Sequence, residues 1–288
     1  MATMMMAMPS SRLAAFNAAL YVTQLVITGI SFSRPQNEAQ YDTLITPAAY
    51  AFSIWSVIYV LTLSTVVTDL FFPAFSIYNN AAKPDFLRAC FALSCIFNFG
   101  WVVLFHGDLV NLATVDITLL WLSLLPIYLF VNFERDERPF SWRPYVFSEL
   151  SIRLYFSWVS AATLISWTIT LQGITGGFLS LSTYLMLLSV LIVIATVGVV
   201  YGRDSVIGLV AVWALNALAH KDLGKLDVDD SEKLLRIQAA ATLAASVTLT
   251  LILVSALERI VFRVRSSREW RAYLKISSET EAHPYYGT

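Results

Sequence analysis

The sequence predicts an all-α fold: a polytopic membrane helix bundle of eight spans. Two observations carry this. The 288 residues are 57% hydrophobic and only 14% charged, where a soluble domain carries about 25% charged residues, and the mean hydropathy is +0.66. The apolar residues also fall into runs of about 20, the length a helix needs to cross the hydrocarbon core of a bilayer. A net charge of -1 comes with no basic domain, so nucleic acid is not an expected partner. Membrane lipids and a hydrophobic small molecule are. Cys90 and Cys95 share one apolar run at a spacing that fits neither a disulfide framework nor a metal site, and read as buried free thiols. The sequence shows no Cys/His cluster, phosphate loop, acid–base pair or nucleophile constellation, so we expect no enzyme activity and no required cofactor.

The first span is expected over 13–32. Residues 1–11 hold no Lys or Arg, unlike the charged start of a signal peptide or an Arg-rich transit peptide. The second span covers 50–72. Pro47 suits a first helical turn, where its missing N–H has no partner anyway, and Thr46 suits the cap. Phe52, Trp55 and Tyr59 then fall at i, i+3 and i+7, which puts three rings on one helix face. In the third span, 86–106, Asn98 and Trp101 share a face with Ser94 and Phe105, and His106 beside Gly107-Asp108 reads as an interfacial cap. The fourth, 109–132, carries Asp116 on a face with Leu120 and Ser123. After a polar loop over 134–144, the fifth span, 152–171, repeats Tyr155, Trp158, Ala162 and Ser166 at three-four-four spacing.

A Gly-rich turn at 173–177 leads to the sixth span, 178–201. It ends in Gly198 and Gly202, a GxxxG spacing common in apolar stretches, followed by Arg203-Asp204, an expected boundary pair. The seventh, 205–220, is the shortest. An acidic loop over 221–232 precedes the eighth, 234–262, and a basic tail fills 263–288. Asn17 and Asn216 read as interhelical bridges. Eight crossings put fourteen Lys and Arg on one side of the membrane and five on the other. By the positive-inside bias, both termini are then cytosolic, with the tail near anionic headgroups.

Polar residues inside spans are candidates for function. Each ring stripe alone fits an ordinary packing seam. Together they outline a cavity with flat apolar walls and a few hydrogen-bonding groups, suited to a large planar ligand rather than an ion or a sugar. The expected ligand-binding residues are Pro47, Phe52, Trp55, Tyr59, Asn98, Trp101, Phe105, Asp116, Trp158, Ala162 and Ser166.

These residues resemble the translocator protein family, also called tryptophan-rich sensory proteins. The family's second helix opens with proline and runs to Phe, Trp and Tyr, matched by Pro47, Phe52, Trp55 and Tyr59. Its third carries Asn, Trp, an aromatic and Gly, matched by Asn98, Trp101, Phe105 and Gly107. The fourth opens on a hydrophobic-Val-Asp step, matched by Val115-Asp116. The fifth is similar in Arg153-Leu154-Tyr155, Trp158, Ala161, Ala162 and Thr163. The resemblance covers about 13–171, and implies a five-helix core over 1–172 with three additional transmembrane helices over 173–262. Those extra helices resemble a longer branch of the family through Arg203-Asp204 before Val212-Trp213-Ala214.

The resemblance implies a pocket for porphyrins or haem, sterols or synthetic aromatic ligands. It implies a role as receptor or regulator of their movement, in a mitochondrial, other intracellular or plasma membrane, and homodimers. The chain departs from the pattern at Leu44 and Ile45, which stand where a tryptophan usually precedes the proline. It departs again at the single Pro47, at Phe99 in place of a second Trp, and at Ser166 in place of Asn. The missing tryptophan is linked to porphyrin breakdown in some members, so that activity is not carried over. Two other readings stand beside the receptor. One is a structural subunit of a larger membrane assembly, docked through spans six to eight. The other is a secondary transporter, although the paired interrupted helices that mark such proteins are missing from the sequence.

Overall fold

The computed structural model describes residues 8–33, 41–134, 141–222, 224 and 226–281. Most of the expected loop over 134–144 lies outside the described residues, as do Arg34, Lys225 and the end of the basic tail. The described chain forms helices α1 (Met8–Phe32), α2 (Ile54–Phe71), α3 (Pro84–His106) and α4 (Val110–Leu129), then α5 (Leu150–Thr175), α6 (Leu181–Val200), α7 (Ser205–Ala219) and α8 (Val228–Glu281). Proline starts α3 at Pro84, where a helix tolerates it. α5 stops at Gly176, whose φ of 74° is open to glycine at little cost.

Among the described residues, seven helical segments are long and apolar enough to cross a membrane, and their outer faces expose apolar side chains such as Val60 and Leu243. The chain is an integral, multi-pass membrane protein. α7 has only 15 residues, about 22 Å of helix. Its two ends nevertheless meet the two ends of α5. Asp204, before α7, lies 3.1 Å from Arg153 near the start of α5. Lys221, after α7, lies 2.7 Å from Asp42, whose carbonyl accepts from Gln172 near the end of α5 at 3.0 Å. α7 therefore runs the depth of the bundle, with short flanking segments making up the length that its helix lacks.

The expected helix start at Pro47 is corrected. Ala48 is extended, with ψ at 146°, and its N–H donates to the Ala217 carbonyl of α7 at 3.1 Å. The chain then makes a 3-10 turn over Ala49–Ser53 and becomes α-helical only at Ile54. Thr46 accepts from Thr43 N at 3.1 Å, closing a local turn. The Ala48 N–H and the Ala217 carbonyl near the end of α7 are both groups that helix ends leave open, and here they satisfy each other.

One continuous apolar core takes Tyr21 from α1, Ile58 from α2, Phe91 from α3, Leu124 from α4 and Ile152 from α5, and also Leu191, Val210 and Ile252 from α6, α7 and α8. A second cluster buries Leu44 and Ile45 against Tyr184, Leu187, Leu215 and Ile237 of the last three helices.

Two buried polar clusters fasten the helix ends. In the first, Arg88 grips Asp69 through Nε–Oδ2 at 2.9 Å and Nη2–Oδ1 at 2.8 Å, above the Tyr78 ring. Burial pushes the Tyr78 hydroxyl well above its ordinary pKa, so the ring stays neutral under the guanidinium. Asn17 donates to the Arg88 carbonyl at 3.1 Å, the bridging role read from sequence, whereas Asn216 is exposed. In the second, Asp204 turns inward to Arg153, accepts from Tyr128 OH at 3.1 Å and caps α7 through Val206 N at 2.9 Å. Arg203 adopts a left-handed φ of 50°, and its carbonyl accepts from Arg259 of α8 at 3.0 Å. Gly202 is needed here: a Cβ on it would sit 2.0 Å from Asn132 Nδ2.

Candidate ligand cavity

A cavity of about 610 Å³ opens between α1, α2, α3 and α5. That volume is well inside the range of about 300–1,000 Å³ typical of small-molecule sites. α2 and the turn before it supply Phe52, Trp55, Ser56 and Tyr59; α3 supplies Trp101, Phe105 and His106. α5 adds Ala162, Ile165, Ser166 and Ile169, and α1 adds Leu25, Thr28 and Gly29. The segment before α2 closes one end with Tyr41, Asp42, Thr46 and Pro47, joined by Lys221.

The rings form a ladder of displaced stacks. Tyr59 and Trp55 lie 5.5 Å apart at 23°, Trp55 and Trp101 5.8 Å apart at 28°, and Trp101 and Phe105 5.7 Å apart at 29°. Tyr41 extends it, 5.2 Å from Phe105. Stacks of this kind add about 0.5–1.5 kcal/mol per pair beyond burial, so the wall is held flat before any ligand arrives.

Of the residues expected from sequence, Pro47, Phe52, Trp55, Tyr59, Trp101, Phe105, Ala162 and Ser166 all line this cavity. Three do not. Asn98 is fully buried behind Tyr59, whose hydroxyl donates to Asn98 Oδ1 at 3.4 Å, so it positions the ring rather than facing the cavity. Trp158 is fully buried one layer deeper, edge-on to Phe52 at 5.8 Å and to Trp55 at 6.5 Å, and braces both. Asp116 is on α4, which does not border the cavity. Its carboxylate packs on α3 at Gly100, where a Cβ would come within 2.8 Å of Oδ1. Among the described residues, Trp101 Nε1 is buried without a protein partner, so the wall holds a donor that a water or a ligand acceptor would satisfy.

His106, expected only as a cap, lines the cavity while its Nδ1–H donates to the Val102 carbonyl at 2.9 Å. Lys221 and Asp42 carried no sequence signal, because neither belongs to a helical stripe. Among the described lining residues, Lys221 is the one permanent cation and Asp42 the one carboxylate. The cavity thus has a flat apolar body and a polar end. Tyr41 donates to Asp108 at that end, in the turn between α3 and α4.

Fold and cavity together define a class: a helical membrane protein whose bundle holds a cavity walled by aromatic rings. The profile of the TSPO-like protein family matches residues 11–255, and the chain belongs to that family. The match runs through the expected boundary at 172 and takes in α6, α7 and most of the apolar part of α8. No match was found among curated proteins or among solved structures.

Proposed function

We propose that the protein binds a large, flat, largely apolar molecule in the ring-walled cavity, of the tetrapyrrole or sterol class. It then acts as a receptor for that molecule or a regulator of its movement through the membrane. The ladder from Tyr59 through Trp55 and Trp101 to Phe105 carries this reading. Stacked rings with few polar groups favour a planar hydrophobic partner over an ion or a sugar. Membership of the TSPO-like family agrees with it. Binding rather than catalysis is the proposed activity, and the ligand is not a required cofactor. The charge bias supports both termini in the cytosol, with the host membrane mitochondrial, another intracellular membrane or the plasma membrane.

The test is a fluorescence titration of the purified protein with a tetrapyrrole in detergent. Trp55 and Trp101 in the wall should be quenched saturably, and an excess of a second planar ligand should reverse the quenching. Quenching that rises linearly without saturation would show partition into the micelle and remove the reading.

A further inference from the structure

The polar end of the cavity is held in place by helices outside the five-helix core, which also supply Lys221. Leu44 and Ile45, where the resemblance expects a tryptophan, are buried at 0% and 6% exposure against α6, α7 and α8. Beyond them Ala48 N–H donates to the Ala217 carbonyl at 3.1 Å, and Trp213 Nε1 donates to the Ala51 carbonyl at 3.1 Å. The segment leading into α2 is therefore fastened along α7. Lys221 follows that helix, and its carbonyl accepts from Gln238 Nε2 of α8 at 2.7 Å. From this scaffold Lys221 reaches the cavity, with Nζ 2.7 Å from Asp42 Oδ1.

The two partners are unequal. The Lys221 side chain is 11% exposed and the Asp42 side chain 35%. A molecule entering this end can turn Asp42 out to water, where a carboxylate is well solvated. It cannot do the same to Lys221, because an ammonium stripped of its partner at that depth is strongly disfavoured. An anionic group replaces Asp42 and keeps the ammonium paired. A cationic group would leave Lys221 stranded, and a neutral one gains nothing from it. We propose that Lys221 is a ligand-binding residue, and that the cavity selects flat ligands carrying a carboxylate at one edge, the acid exchanging for Asp42 at Nζ. This rests on the cavity being a ligand site, and it ranks an acidic tetrapyrrole above a neutral sterol. It also gives the last three helices a role in recognition.

The test compares protoporphyrin, a dicarboxylate, with its uncharged dimethyl ester by tryptophan quenching of the full-length protein. The natural protein should bind the diacid about tenfold more tightly than the diester, as expected for one charge-assisted hydrogen bond. Lys221→Met should remove that preference by weakening the diacid about tenfold more than the diester, Lys221→Arg should keep it, and Asp42→Asn should tighten the diacid by removing its competitor. Equal affinity of the natural protein for both compounds overturns the inference. So does a Lys221→Met protein weakened equally toward both, which would make Lys221 only a brace. If Lys221→Met does not fold, the natural protein and Asp42→Asn still decide the matter. If the natural protein binds neither compound, the cavity reading itself fails, and this inference with it.

Discussion

Replacing Asp204 with alanine should expose how firmly the last three helices are joined to the first five. The Asp204 carboxylate pairs with Arg153 at 3.1 Å, accepts from Tyr128 OH at 3.1 Å and caps α7 through Val206 N at 2.9 Å. The Arg153 side chain is 12% exposed and that of Asp204 only 1%. Removing one partner of a buried ion pair costs about 3–5 kcal/mol, and a lost cap adds about 1 kcal/mol. Arg153 keeps bonds to Asn132 Oδ1 at 2.7 Å and to the Val131 carbonyl at 3.1 Å, which places the effect in the lower half of that range. With the cap included, a destabilisation of about 4–5 kcal/mol follows, and at about 2–4 °C per kcal/mol it lowers the unfolding midpoint by roughly 8–20 °C. Cys90 and Cys95 are free and buried, so a maleimide fluorophore that reacts on unfolding reports the midpoint in detergent. A shift of less than about 2 °C would show that this junction does not hold the bundle together.

Three further outcomes follow from the same packing. Truncation after Gln172 removes Asp204 and the residues that cover Leu44 and Ile45, so the shortened chain should elute as aggregate in size-exclusion chromatography. A monodisperse, ligand-binding fragment would restore 1–172 as a self-sufficient core. Gly202→Ala drives a Cβ into Asn132 and disturbs its bond to Arg153, so it should destabilise by about 1–3 kcal/mol in the thermal assay. Tags at the N-terminus and after Thr288 should be accessible from one side of the membrane and a tag near Asp229 from the other; finding the N-terminal and Asp229 tags on one side and the Thr288 tag on the other would show that α7 does not cross.

The helices were legible because apolar runs of the right length have few alternatives in a chain this poor in charge. The converging rings were legible too: Trp55 and Tyr59 on one helix and Trp101 and Phe105 on another each keep helical spacing, and α2 and α3 bring them into one ladder. Spacing fixes which face a residue occupies but not how deep it sits. Asn98 and Trp158 share faces with lining residues, yet stand behind Tyr59, Phe52 and Trp55 because those rings fill the nearer layer. Asp116 was misplaced for a related reason, since its face meets Gly100 of α3 rather than the cavity. Pro47 carried a local signal for a helix start, but Ala48 stays extended beside α7 and the α-helix begins only at Ile54, after a 3-10 turn. Lys221 could not be found from local pattern at all. Its place depends on α7 running beside α5 and on Asp42, far earlier in the chain.

The central claim, that the ring ladder is a ligand wall, is tested most directly by the tetrapyrrole affinity of three variants. Trp101→Ala removes a rung and should weaken binding by about 1–3 kcal/mol, the loss expected for a large ring in contact with a ligand. Ala162→Phe fills the cavity from α5 and should abolish saturable quenching while the protein stays monodisperse. Trp121→Ala is the control. Its Nε1 donates to Ser160 at 2.8 Å and its ring packs on Phe156, between α4 and α5 and away from the cavity, so affinity should be unchanged. Natural affinity in both Trp101→Ala and Ala162→Phe would contradict the account, leaving the ladder a packing seam and the assembly-subunit reading ahead.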